Sequence, residues 1–179
     1  LPFTLTGAQR RCVEEAITDM ASGAPMNRLC QGDVGSGKTM VAAACVYFCV
    51  KNGRQAALMA PTEILARQHF TGLAPLLEKL GIRCVLLTGS TPAREKKAVT
   101  ARLSAWEADF AIGTHALISQ GVDYQNLGLV VTDEQHRFGV GQRAALAAKG
   151  SHPHTLVMSA TPIPRTLALI LYGDLDVSI

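Results

Sequence analysis

Gly32-Asp33-Val34-Gly35-Ser36-Gly37-Lys38-Thr39 fills every fixed position of the pattern G-x-x-x-x-G-K-[ST], a loop that can cradle phosphates. Glycines let successive backbone N–H groups curl around an anion with no Cβ in the way. A helix opening at Thr39 adds unpaired amides and the positive end of its dipole, Lys38 can reach the β- and γ-phosphates, and the Thr39 hydroxyl can ligate Mg²⁺. Far along the chain, the apolar run Leu127–Thr132 ends in Asp133-Glu134-Gln135-His136. There Asp133 suits Mg²⁺, held through its waters, and Glu134 suits orienting or deprotonating an attacking water. Both sets of residues point to the chemistry of a nucleoside triphosphate. A zinc cluster of Asp133, Glu134 and His136 is disfavoured, because no further ligands follow at zinc spacing. Ser159-Ala160-Thr161 closes a third apolar run. Its hydroxyls could hydrogen-bond the acidic motif and sense the γ-phosphate, or could simply serve a strand-to-helix turn.

Positioning these groups requires a particular scaffold. Short β-type runs alternate with longer helical patterns, which is the mark of parallel strands joined by crossover helices. Strands are expected near Arg28–Gln31, Ala56–Ala60, Arg83–Thr88, Phe110–Gly113, Leu127–Thr132 and Thr155–Met158. Several are uniformly apolar, as strands covered on both faces must be. Met40–Asn52 reads as a nearly all-apolar helix ended by Gly53, and Ala66, Phe70, Leu73, Leu77 and Leu80 mark one face of the helix before Gly81. Thr91-Pro92 predicts an N-cap and first-turn proline for a polar helix through Arg94, Glu95, Lys96 and Lys97, and Pro164 opens a helix ending before Gly173. The Lys96-Lys97 pair reads as a solvated face. The expected fold is α/β, a RecA-like P-loop NTPase domain with a mostly parallel sheet and helices on both faces.

At 179 residues the chain fits one domain with a single continuous core. Apolar residues make up 48% and charged residues 17%, which favours a folded domain over disordered tails. No apolar run reaches the roughly 18 residues of a membrane span, and the start lacks the layout of a signal peptide, so a cytoplasmic protein is expected. Cys12, Cys30, Cys45, Cys49 and Cys84 mostly lie in apolar stretches and read as small buried side chains. A net charge of +3 does not by itself announce nucleic acid, so any such contact must be local. The first residue is Leu1 and the chain stops at Ile179, which suggests a domain excised from a longer polypeptide.

The order of motifs is similar to that of superfamily 2 helicases. GDVGSGKT is followed by Ala60-Pro61-Thr62-Glu63-Ile64-Leu65-Ala66-Arg67-Gln68-His69, the turn Thr88-Gly89-Ser90, the turn Gly113-Thr114-His115-Ala116-Leu117, then DEQH and SAT. Within that class the chain resembles the RecG family of bacterial ATP-dependent DNA helicases, which remodel branched DNA and stalled forks. DEQHRFGV from Asp133 to Val140 and SATPIPRTLAL from Ser159 to Leu169 are the most specific pieces, and the likeness covers almost the whole chain. The motor of the transcription-repair coupling factor is the nearest rival, set aside because it usually carries DEEH where this chain has Gln135. A nucleotide-gated binding module without motor activity is the rival from another class.

The resemblance implies further roles. Phe3 and Gln9 would read adenine, Phe3 by stacking and Gln9 by hydrogen bonding; by its own signal Gln9 is a polar residue in a first helical turn. Pro61, Thr62, Gln68, Gly89, Gly113, Thr114 and His115 would touch the DNA backbone without reading sequence. His136 would couple nucleotide state to DNA through Ser159 and Thr161, whereas His69, His152 and His154 read as ordinary satisfied histidines. Arg137 and Arg165 receive no role. Residues 1–179 would be the first RecA-like lobe, with the wedge domain, the second lobe and its arginine finger lying outside this chain.

Overall fold

The computed structural model describes residues 5–23, 25–31, 38–134, 140–150, 153–159 and 176–178. In chain order the elements are α1 (Gly7–Ala21), β1 (Asn27–Gln31), α2 (Lys38–Lys51), β2 (Gln55–Met59), α3 (Glu63–Glu78), β3 (Cys84–Leu87), α4 (Ala93–Ser104) and β4 (Phe110–Gly113). A short 3₁₀ helix (His115–Ile118), β5 (Leu127–Glu134), α5 (Val140–Ala147), β6 (His154–Ser159) and β7 (Asp176–Ser178) complete them. The strands form one parallel sheet in the order β3-β4-β2-β5-β6-β1-β7. This is the α/β architecture expected from the sequence. Every strand runs the same way, so every strand's carboxyl end opens onto one edge, where such sheets place ligands.

The pleat sorts the core into two layers, because successive side chains point to opposite faces of a strand. Ala56, Leu58, Phe110, Ile112, Leu129 and Val131 pack with α1, α2 and α3 on one face. Ala57, Met59, Ala111 and Val130 face Leu103 of α4, Leu117 of the 3₁₀ helix and Leu146 of α5 on the other. That is why these strands are apolar at consecutive positions. Each fully buried Leu or Ile contributes about 1.5–3 kcal/mol. Helix α2 is buried along Val41–Val46, where Ala42, Ala43 and Ala44 let its backbone lie close to the sheet. All five cysteines are buried, and Cys12 and Cys30 place their Sγ atoms 2.9 Å apart. Burial pushes Cys49 and Cys84 up to about 12, so both stay protonated and act as apolar filler.

Polar ties fix the ends of the elements. Arg28 of β1, 11% exposed, pairs with Glu15 at 3.0 Å and Asp19 at 2.7 Å, both on α1. Buried Gln55 donates to the carbonyls of Leu103 and Ala108 and accepts from the N–H of Asn126, joining the starts of β2 and β5 to the end of α4. The β2–β5 register shifts at Gln55/Ala56, and the skipped residue is Gly128, where a Cβ would meet the Arg54 side chain at 2.4 Å. Arg83 grips Asp109 through its backbone N–H and two guanidinium nitrogens. Burial alone would raise the Asp109 carboxyl, but these bonds outweigh it and hold the group below the usual carboxylate range.

Three local expectations are revised. Strand β5 continues beyond Thr132 through Asp133 and Glu134, because β6 stays alongside with Asp133 opposite Met158 and Glu134 opposite Ser159. Pro92, not Thr91, is the N-cap of α4, and it makes no side-chain cap bond. The Thr91 hydroxyl instead accepts from the Thr88 N–H at 2.9 Å, closing the turn through Gly89 and Ser90. Asp176–Ser178 adds a seventh strand to the six expected, on the outer side of β1. The helix expected after Pro164 lies outside the described residues, as do Arg137, His152 and Arg165.

Candidate functional site

Two groups of motif residues occupy two adjoining stretches of the same sheet edge. The phosphate-loop sequence leaves β1, the acidic pair ends β5, and Ser159 ends β6, which lies between them. The register is level: Gln31 lies opposite Ser159, and Ser159 opposite Glu134. With strands about 4.8 Å apart, the ends of β1 and β5 are separated by roughly 10 Å. The expected DNA-facing turns follow β2, β4 and β3, the three strands continuing the same edge.

Asp133 also lies on a definite face. It is two residues beyond Val131, whose side chain packs with α1, α2 and α3, so the pleat puts both on that side. Helix α2 begins on this side at Lys38 and Thr39, the last two residues of the phosphate-loop sequence. Asp133 and Thr39 therefore share both face and edge. A carboxylate and a hydroxyl are hard oxygen donors, the kind that Mg²⁺ accepts. The residues present fit that ion.

The Asp133 carboxylate has a partner that the sequence reading missed. His69 of α3 places Nε2 at 2.7 Å from Asp133 Oδ2, and the two side chains are only 13% and 14% exposed. His69 is a satisfied histidine, as expected, but its partner is the candidate metal carboxylate. A signal was present: His69 follows buried Ala66 by three residues and precedes buried Leu73 by four, so it lies on the apolar stripe of α3. His154 satisfies the expectation in the ordinary way, with Nδ1 accepting from the Met26 N–H at 2.8 Å.

Several expected site residues also hold structural positions. Thr6 and Gln9 form a reciprocal capping box on α1, with Gln9 Oε1 accepting from the Thr6 N–H at 2.9 Å. This is the first-turn role that Gln9's own position suggested. The exposed Thr62 caps α3 by accepting from the Leu65 N–H at 3.2 Å. Thr114 is buried and caps the 3₁₀ helix, so its hydroxyl is turned inward. Gly113 is required by packing, since a Cβ there would lie 1.9 Å from the Leu87 carbonyl oxygen. Gln68, Gly89 and His115 are exposed and Pro61 is half-buried. Phe3, Gly32, Asp33, Val34, Gly35, Ser36, Gly37, His136 and Thr161 lie outside the described residues.

The turns are tied to one another as well. Glu63, the first residue of α3, accepts from the hydroxyls of Thr88 and Ser90 in the loop after β3, and from the Arg67 guanidinium. The Ser90 bond above all, followed by the Arg67 bond, holds the Glu63 carboxyl below its usual range. The loops after β2 and β3 are thereby linked across the end of β4, which separates their strands.

A parallel sheet whose phosphate-loop strand, acidic strand and hydroxyl-bearing strand end level on one edge has the architecture of a RecA-like P-loop domain. The chain belongs to the DEAD/DEAH box helicase family, which it matches over residues 6–170. It is 58% identical over its whole length to the ATP-dependent DNA helicase RecG of Streptococcus pneumoniae and 54% identical to that of Bacillus subtilis, spanning 26% of each. Among solved structures, RecG bound to a three-way DNA junction superposes with a TM-score of 0.85 at 51% identity, covering 99% of this chain and 24% of that one. The UvsW helicase of bacteriophage T4 shares the fold alone, with a TM-score of 0.70 at 12% identity over 98% of this chain and 60% of that one. The chain thus spans about a quarter of the length of the curated relatives it matches.

Proposed function

We propose that this chain is the first motor lobe of a RecG-like ATP-dependent DNA helicase, which couples ATP hydrolysis to the remodelling of branched DNA. The level register of Gln31, Ser159 and Glu134 carries the reading, because it brings the strands of three nucleotide motifs to one edge. Membership of the helicase family and the extended likeness to RecG proteins support it.

In this reading Gly32–Gly37 supply amides to the phosphates and Lys38 neutralises their charge. Asp133 and the Thr39 hydroxyl would hold Mg²⁺, which when bound would offset the negative charge of the phosphates. Glu134 orients the attacking water, Phe3 and Gln9 take the base, and His136, Ser159 and Thr161 relay nucleotide state. Pro61, Thr62, Gln68, Gly89, Gly113, Thr114 and His115 line the path of the DNA backbone. Because Thr114 and Gly113 are buried, their share of that contact falls to backbone groups. A second RecA-like lobe bearing an arginine finger and a wedge domain for the branch point belong to the remainder of the polypeptide. An arginine finger is worth about 10³–10⁵ in rate, so the isolated lobe should turn over ATP slowly.

Thermal melting with Mg-ATP tests the proposal. At a hundredfold excess over Kd the ligand should add about 2.7 kcal/mol of stability, seen as a higher melting temperature. Lys38→Ala should abolish the shift. An equal shift in that variant would refute the site.

A further inference from the structure

The sheet order divides the edge into a nucleotide half, at the ends of β5, β6 and β1, and a turn-bearing half, at the ends of β3, β4 and β2. The halves meet between β2 and β5, which are hydrogen-bonded neighbours. Helix α3 leaves β2 at this boundary, and from it His69 reaches Asp133 at 2.7 Å. An ionised carboxylate can only accept, so the imidazole Nε2–H is the donor. Both side chains are largely screened from water, which strengthens the bond and narrows the orientations open to the carboxylate.

From this geometry we infer that His69 is a positioning residue for the Mg²⁺ carboxylate: its bond to Oδ2 sets the orientation of Asp133 and ties that carboxylate to α3. The inference rests on the nucleotide-site reading above. A carboxylate free to rotate must lose that freedom when a cation binds, whereas one already held by an outer partner does not. Outer hydrogen bonds of this kind are typically worth about 10- to 100-fold in metal affinity.

The test uses a fluorescent ADP analogue bound to the 179-residue chain, titrated with Mg²⁺ and in parallel with Mn²⁺. In His69→Leu, which fills the space without a donor, and in His69→Ala, the metal concentration for half-maximal binding should rise about 10- to 100-fold. Affinity for the nucleotide in EDTA should not change. His69→Gln, whose amide N–H₂ can replace the Nε2–H, should recover most of the loss. Melting curves in metal-free, nucleotide-free buffer identify the variants that fold, and the Gln variant against either apolar one suffices for the comparison. Unchanged half-saturating Mg²⁺ in the Leu or Ala variant, or a Gln variant no better than they are, would overturn the inference. A wild-type chain that binds the analogue equally with and without metal would instead overturn the nucleotide-site reading beneath it.

Discussion

Glu63 and Thr88 are bonded across the end of an intervening strand, with the Thr88 hydroxyl 3.2 Å from Glu63 Oε1. Their loops follow β2 and β3, which do not touch each other in the sheet. If these loops grip a DNA backbone, their relative spacing must be fixed before the DNA arrives, and this bond with its Ser90 companion fixes it. Glu63→Ala should therefore weaken binding of a forked duplex several-fold and equally for all sequences, because phosphate contact carries no sequence information. Glu63→Gln keeps an accepting oxygen and should bind nearly as wild type. Fluorescence anisotropy at low salt provides the measurement, and identical affinities for wild type and Glu63→Ala would refute the role.

Thr132 presents a different opportunity. Its side chain is fully buried, and its hydroxyl is the unpaired buried side-chain polar group among the described residues. A buried hydroxyl without a partner costs its desolvation and returns nothing. Thr132→Val keeps the shape and removes the group, so it should stabilise the fold by about 1 kcal/mol in urea denaturation. Lower stability in the variant would mean that the hydroxyl has a partner after all.

His154 gives the fold a pH dependence of calculable sign. Its Nδ1 must be unprotonated to accept the Met26 N–H. Burial first, and the Arg54 charge second, hold its pKa below the ordinary value despite the opposing pull of Asp19. The folded pKa is depressed, so the unfolded chain takes up the proton first as pH falls. The stabilisation is present above about pH 6.5 and is lost as pH falls through the folded value. Urea midpoints should decline between about pH 7.5 and about pH 5 in wild type, and less steeply in His154→Gln. Equal slopes would exclude His154 as the source.

Much of this molecule is written locally. The phosphate-loop spacing, the acidic pair after an apolar run, and strands apolar at successive positions are properties of short stretches, and they gave the fold class and strands β1 to β6. Gly53 and Gly81 marked helix ends for the same reason, since each adopts a positive φ that only glycine takes freely.

What escaped was everything that depends on which strands become neighbours. No local signal says that β6 lies between β1 and β5, and only that order brings Ser159 opposite both Gln31 and Glu134. The extension of β5 through its acidic pair depends equally on β6 remaining alongside. Gly113 read as a DNA-contact turn, yet packing against Leu87 is what requires glycine there. His69 was visible only as a histidine on an apolar stripe, because its partner is 64 residues away in the chain. Residue types and their intervals set the available chemistry, since these act within a turn or a strand. The pairing of that chemistry belonged to the tertiary structure, because distant segments meet only where the sheet order and two-sided burial bring them together.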